Sequence, residues 1–242
     1  MHAHIDPLPF HADALRALHA ASLGGDGNVM EPACALALQA NFGSVERWRE
    51  AFAAMGRAHA GGPGWLVLTF NVREGSLGNA WVADPTHAAA DVLPLMALDM
   101  ARPAHHADVG TTAAYVDAFM AHINWAAVYA RYQHAVHAAS EPLAVGSIEG
   151  ATLLDVRRAG VFEKATTMIP GAAWKDPADV AQWAQALPRD RDVVVYCVYG
   201  HEVGRATAMR LRAAGLKARF LEGGIDAWQT AGQPLTAKGS VT

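Results

Sequence analysis

The spacing of hydrophobic and polar residues changes character partway along the chain. In the first part, "EPACALALQANFG" and "SVERWREAFAAMGRAHAGG" are alanine-rich, helix-forming runs that each end at glycine. "GWLVLTFNV" and "LGNAWVA" follow, rich in apolar and β-branched residues and separated by "REGS", which predicts a hairpin. "PLMALD" predicts a third strand, and "TTAAYVDAFMAHI" and "NWAAVYARYQHAVHAA" predict two helices, with Asn124 placed to cap the second. In that helix Trp125, Val128, Tyr129, Tyr132 and Val136 recur at helical spacing on one face. "HAASEPLAVGS" breaks the pattern and reads as a linker.

From about Leu143 the period alternates between strand and helix. "ATLLDV", "DVVVYC" and "KARFLE" read as short strands, and "DPADVAQWAQAL", "VGRATAMRLRAAG" and "GGIDAWQTAG" as the helices between and after them. Such alternation predicts a parallel sheet covered on both faces. Val203, Ala206, Met209 and Ala213 share a helix face, and Gly215 supplies the stop. The expected architecture is therefore two domains: an N-terminal α+β domain over 1–138 with a small antiparallel sheet, a linker over 139–146, and a C-terminal α/β domain over 147–238 with a central parallel sheet.

Composition narrows the function classes. The 242 residues suffice for two modest cores, and a net charge of −4 leaves no electrostatic footprint for nucleic acid or an anionic membrane. Two cysteines do not make a disulfide framework and fit a reducing compartment. The start, "MHAHIDPLPFHADALRALHA", lacks a basic region followed by an apolar stretch, and no segment reaches the roughly 18 apolar residues of a membrane span. A soluble cytoplasmic protein is expected, without nucleic-acid or membrane partners.

The chemistry concentrates in "YCVYGHEVGR", residues 196–205. Cys197 ends a strand of a parallel sheet, where ligands bind, and a helix is expected to begin about six residues later. Loop amides and the helix N-terminus favour a thiolate over a thiol, so the cysteine is expected to have a lowered pKa. A cysteine phosphatase needs an arginine six positions after the cysteine to grip a phosphoryl group; that position is Val203, and Arg205 comes two residues too late. An isolated thiol of this kind could also be a packed apolar side chain. His201 and Glu202 read either as substrate-orienting or as solvated loop residues, and Arg205 as a surface helix residue.

Together, "LLDVRRAGVFEKATTMIPGA", "VVVYCVYGHEVGRATAMRLRAAGL" and "LEGGIDAWQTAGQPL" resemble a single-domain rhodanese, a family of sulfurtransferases, over about residues 144–235. The resemblance implies that Cys197 accepts a sulfane sulfur as a persulfide, within a substrate-binding loop of Val198, Tyr199, Gly200, His201, Glu202 and Val203. It also implies that Asp155 and Arg157 support the fold. Met168 stands where the family usually has a histidine before "IPGA". Positive charge near the cysteine is limited to His201, opposed by Glu202, so the expected donor is less charged than thiosulfate, such as an organic persulfide.

"PLPFHADAL", "NFGSVERWREAF", "GWLVLTF", "LMALDM" and "AAYVDAFMAHINWAAVYARY" resemble iron/manganese superoxide dismutases over most of residues 5–138. Those enzymes hold one metal with three histidines and an aspartate, a donor set suited to a redox metal. Asp99 matches the aspartate, but Pro103 stands where a histidine ligand should, and Pro63 replaces a tryptophan that flanks the metal. The segments carrying the other two histidines are missing, so Asp99 is the only retained ligand position. His87, His105 and His106 lie nearby, but adjacent histidines do not converge on one helix face. His2 and His4 are scattered, His134 and His137 read as solvated surface, and Cys34 as core.

The expected function is thus a sulfurtransferase passing sulfur through Cys197 from a small sulfane-sulfur donor to a thiol acceptor. The first domain is read as a non-catalytic dimerisation or docking module, with a homodimer through it and no cofactor. The alternatives are an iron- or manganese-dependent superoxide dismutase with an altered site, or a non-enzymatic redox-sensing protein.

Overall fold

A computed structural model describes residues 11–27, 29–59, 62–85, 91–101 and 112–238. The chain forms two compact units: one holds the described residues through Ala135 except the Arg73–Gly75 turn, the other that turn and the residues from Val136 onward.

The first unit contains helices α1 (Ala12–Ala21), α2 (Pro32–Phe42) and α3 (Val45–Ala58), strands β1 (Trp65–Asn71), β2 (Ser76–Val82) and β3 (Val92–Asp99), then α4 (Thr112–Ala121) and most of α5 (Trp125–Ser140). The strands form an antiparallel sheet in the order β2-β1-β3. Local signals explain the boundaries. Gly43, at φ +87°, ends α2, and the Ser44 hydroxyl accepts the Arg47 N–H at 3.1 Å to open α3. Asn124 caps α5 as expected, its side chain accepting the Ala127 N–H at 3.1 Å. Leu15 and Leu18 of α1 pack on Trp65, Val67 and Ala97 of the sheet. Trp48 meets Trp125 edge-on at 5.2 Å, and Phe52 stacks with Phe119 at 6.3 Å, which joins α3, α4 and α5 through aromatic contact.

The second unit adds strands β4 (Ala144–Val145), β5 (Thr152–Asp155), β6 (Thr167–Met168), β7 (Ala173–Trp174), β8 (Asp192–Tyr196), β9 (Lys217–Leu221) and β10 (Thr236–Ala237). Its helices are α6 (Ala159–Lys164), α7 (Val180–Trp183), α8 (Glu202–Ala213) and α9 (Gly224–Thr230). Five strands form a parallel sheet in the order β4-β9-β8-β5-β7, while β6 pairs only with β10. The valine run of β8 serves both faces. Val193 and Val195 pack with Ala208 and Leu211 of α8 on one side, and Val194 and Tyr196 with Ile225 of α9 on the other. This double burial is why the strand reads as continuously apolar rather than alternating.

Two expectations are corrected. Residues 139–146 do not form a linker. α5 continues through Ser140, a 3-10 turn spans Glu141–Leu143, and Ala144 and Val145 pair in parallel with Phe220 and Leu221 as the edge strand of the sheet. The single helix expected over "DPADVAQWAQAL" is split into 3-10 turns at Pro177–Asp179 and Ala184–Ala186 around the one-turn α7. Asp176 accounts for the start of this break: its side chain accepts the Ala178 N–H at 2.9 Å and its carbonyl the Trp183 indole N–H at 2.7 Å, bonds that compete with helix continuation. Among the described residues no helix is long and apolar enough to cross a membrane.

Candidate active site

β8 is the central strand of the parallel sheet, and Cys197 follows its carboxyl end. Beneath the cysteine the strand ends are fixed by a buried polar cluster. Asp155 is fully buried and receives both Nε and Nη2 of Arg157, the latter at 2.5 Å, and the Tyr196 hydroxyl at 2.9 Å. Tyr196 accepts the Ile169 N–H at 3.2 Å, and Arg157 donates to the Thr167 carbonyl at 2.9 Å. Burial, and then the Asp155 charge, push the Tyr196 phenol well above its ordinary range, so it stays a donor. Asp155 and Arg157 therefore lie below the site, tying β5 to the residue immediately before the cysteine. Met168, in β6, pairs with Thr236 of β10.

The cysteine loop rests on the Gly223–Gly224 turn. The Cys197 and Val198 carbonyls accept the Ile225 and Asp226 N–H groups, each at 3.0 Å. Gly224 has φ +61°, and a Cβ there would come within 2.5 Å of both carbonyl oxygens, so this contact requires glycine. Gly200 has φ +66°, and its Cβ would lie 2.6 Å from the Gly223 nitrogen. Because a trans peptide is planar, its C=O and N–H point in opposite directions. The bond from Asp226 to the Val198 carbonyl thus turns the Tyr199 N–H toward the sulfur.

Sγ of Cys197 donates to the His201 carbonyl at 4.0 Å, and the backbone N–H groups of Gly204, His201, Gly200 and Tyr199 favour its thiolate. Burial nevertheless pushes the resting thiol above its ordinary value, against these four amides, and this corrects the expected lowering. Desolvation penalises the thiolate more than the amides favour it. The amides are still placed to hold negative charge on the sulfur once an anion forms there. A Cβ at Gly204 would sit 3.3 Å from Sγ, so the helix backbone itself forms one wall of the site.

The loop read as 198–203 is shorter than expected: Glu202 and Val203 already belong to the first turn of α8. Tyr199 and His201 are exposed at the rim, with ring centroids 5.7 Å apart. Glu202 is buried, not solvated, and its carboxylate lies 3.7 Å from Nε2 of His137. His137 is half-buried beside this carboxylate and 5.8 Å, ring to ring, from His201, whereas His134 is exposed. Burial, then the Arg205 charge, lower the His137 pKa against the opposing pull of Glu202. Arg205, expected at the surface, is largely buried: Nε donates to the Gly200 carbonyl at 2.8 Å and the guanidinium lies over the Phe220 ring at 4.4 Å. Sequence reasoning missed His137 and Arg205 as parts of the site because their partners are remote in sequence. The paired glycines of "EGGID" were the available signal for the turn beneath the loop.

In the first unit, Asp99 ends β3; its side chain accepts the Ala101 N–H at 3.0 Å, and its carbonyl accepts the Tyr115 hydroxyl at 2.8 Å. His19, also unanticipated, lies buried on α1 with Nδ1 at 3.2 Å from the Ala97 carbonyl and 3.4 Å from the Asp99 nitrogen. Its place on the core face with Leu15 and Leu18 was the sequence signal. Among the described residues, no three His, Cys, Asp or Glu side chains form a ligand group. Pro63 is described; Pro103, His87, His105, His106, His2 and His4 lie outside the described residues. Cys34 is buried in α2.

A cysteine in an amide-lined loop at the carboxyl end of a parallel sheet defines a class of sulfur- or phosphoryl-handling α/β domains. Residues 137–231 match the rhodanese-like domain, and residues 30–131 match the C-terminal domain of iron/manganese superoxide dismutases. A sulfurtransferase of Allochromatium vinosum is 34% identical over 89 residues, covering 37% of this chain and 81% of that protein. The chain thus belongs to the rhodanese-like family, and its residues 30–131 are similar to the C-terminal domain of iron/manganese superoxide dismutases. A superoxide dismutase [Fe] of Cupriavidus metallidurans is 46% identical over 113 residues, covering 46% of this chain and 57% of that protein. The chain spans a little over half the length of that relative. A solved rhodanese-related protein from Thermoplasma volcanium is 27% identical, with a TM-score of 0.33, covering 37% of this chain and 86% of that one.

Proposed function

We propose that the protein is a sulfurtransferase carrying sulfur as a persulfide on Cys197, in a reducing, cytoplasmic setting. The observation that supports this most is the set of four backbone amides around the buried Sγ, which suits a sulfur anion with no side-chain cation in contact. In the first half-reaction Cys197, as thiolate, attacks the outer sulfur of an organic persulfide RS–SH. The RS–S bond breaks, RS⁻ leaves, and Cys197 carries S–SH. An acceptor thiolate then attacks the terminal sulfur, and Cys197 leaves as thiolate. The exposed loop residues are Tyr199 and His201, and the Arg205 guanidinium is largely buried and held to the Gly200 carbonyl, which supports a weakly charged sulfane-sulfur donor rather than a dianion.

The superoxide dismutase-like unit is read as a non-catalytic dimerisation or docking module with a degenerate metal site. This rests on the sequence, where Pro103 stands at the position of a histidine ligand and Asp99 is the one ligand position retained. The test is intact mass after incubation with an organic persulfide: one added sulfur is expected on the wild type and none on Cys197→Ser. A wild type that gains no sulfur refutes the reading. High thiosulfate:cyanide turnover would refute the weakly charged donor, and stoichiometric iron or manganese in the purified protein would refute the degenerate site.

A further inference from the structure

The Cys197 loop has three peptide carbonyls pinned from outside. Two are held by the backbone of α9, and the third, that of Gly200, by Nε of Arg205 at 2.8 Å. The Gly200 C=O and the His201 N–H belong to one planar trans peptide and point in opposite directions. Holding the carbonyl toward Arg205 therefore turns the His201 amide toward Sγ, where it is one of the four amides acting on the sulfur. Arg205 is itself fixed from several sides. Nη1 donates to the buried Ser140 hydroxyl at 3.2 Å and lies 3.3 Å from the Glu141 carboxylate and 3.5 Å from the His137 carbonyl. The guanidinium stacks over Phe220 of β9. The carbonyl end of α5 adds favourable partial negative charge.

We infer that Arg205 is a positioning residue of the sulfur site: by gripping the Gly200 carbonyl, and being gripped in turn by the last turn of α5, it orients the His201 amide that receives the sulfur anion. This deepens the sulfurtransferase reading and rests on it for its biological meaning. It assigns residues 137–141 to the working part of the site. Arg205 contacts no substrate in this role. A guanidinium is required because one planar group must donate sideways to Gly200 and from its tip to Ser140; a lysine ammonium supplies charge but not this fork.

The test is the pH dependence of Cys197 alkylation by iodoacetamide in the full chain carrying Cys34→Ser, for the parent and for Arg205→Lys, Arg205→Met and Ser140→Ala. His137, Tyr199, His201, Glu202 and Glu141, the titratable groups around the loop, are kept in every variant. With thermal melting as a folding control, Arg205→Lys and Arg205→Met are expected to move the alkylation midpoint up by about one pH unit, about tenfold less reactivity at a given pH. Ser140→Ala should give a smaller shift in the same direction. A midpoint in Arg205→Lys equal to the parent's would overturn the proposal, because charge alone would then suffice. If Arg205→Met does not fold, Arg205→Lys carries the decision. Alkylation reads the thiol whether or not sulfur is transferred, so a parent that takes up no sulfur would refute the sulfurtransferase reading separately.

Discussion

The two regions each hold one cysteine, and both are buried, yet they offer the sulfur different surroundings. Cys34 sits in α2, where burial, with Glu31 adding to it, pushes the thiol up to about 12. No backbone amide opposes that shift. Cys197 is also raised by burial, but four amides pull the other way, because its loop leaves a parallel strand and enters a helix N-terminus. Burial alone therefore does not distinguish the two thiols. The arrangement of unused backbone donors does. The acidic residues at the strand ends show a related contrast. Asp155 is fully buried with its carboxylate held by Arg157 and Tyr196, whereas the half-buried Asp99 accepts the Ala101 N–H on its carboxylate.

Four measurements test this contrast. The largest effect is expected beneath the cysteine: Arg157→Met leaves the buried Asp155 without its cation and should cost about 3–5 kcal/mol, read by denaturant unfolding. A loss below about 1 kcal/mol would mean that Asp155 is stabilised mainly by Tyr196. Next, iodoacetamide should modify Cys197 at least about a hundredfold faster than Cys34 at pH 8, scored by peptide mass spectrometry. Equal rates would remove the distinction between the two thiols. A smaller effect is expected from Gly204→Ala, whose methyl would stand 3.3 Å from Sγ: about a tenfold slower gain of sulfur with an unchanged melting temperature.

The smallest effect concerns His137. Its folded pKa lies below the ordinary histidine value, so the unfolded chain binds more protons as the pH falls past about 6.5. The associated stability is complete above that pH and is lost as the pH drops through the lowered folded value. His137→Gln should flatten the acid side of the stability profile, and a steeper acid side would reverse the assignment.

Much of the fold was legible because periodicity reports burial. The valines of β8 read as a doubly covered strand, and Asn124 as a cap. The helix misread at 177–186 and the false linker at 139–146 share a cause. Trp183 bonding to Asp176, and Ala144 and Val145 pairing with β9, are contacts that local patterns do not register. Glu202 and Arg205 read as surface for the same reason, since polar side chains carry no sequence mark of a buried partner.

By itself the sequence determined the two-part organisation, the order of strands and helices, and the one cysteine standing at the carboxyl end of a strand. Those features follow from local propensity and from the period of apolar residues. Only the tertiary structure decided which way the loop amides point, that burial raises the Cys197 thiol, and that Arg205 and His137 lie beside the loop. Peptide orientation depends on what grips the opposite carbonyl, and here the grip comes from α9 and from Arg205, itself held by the end of α5.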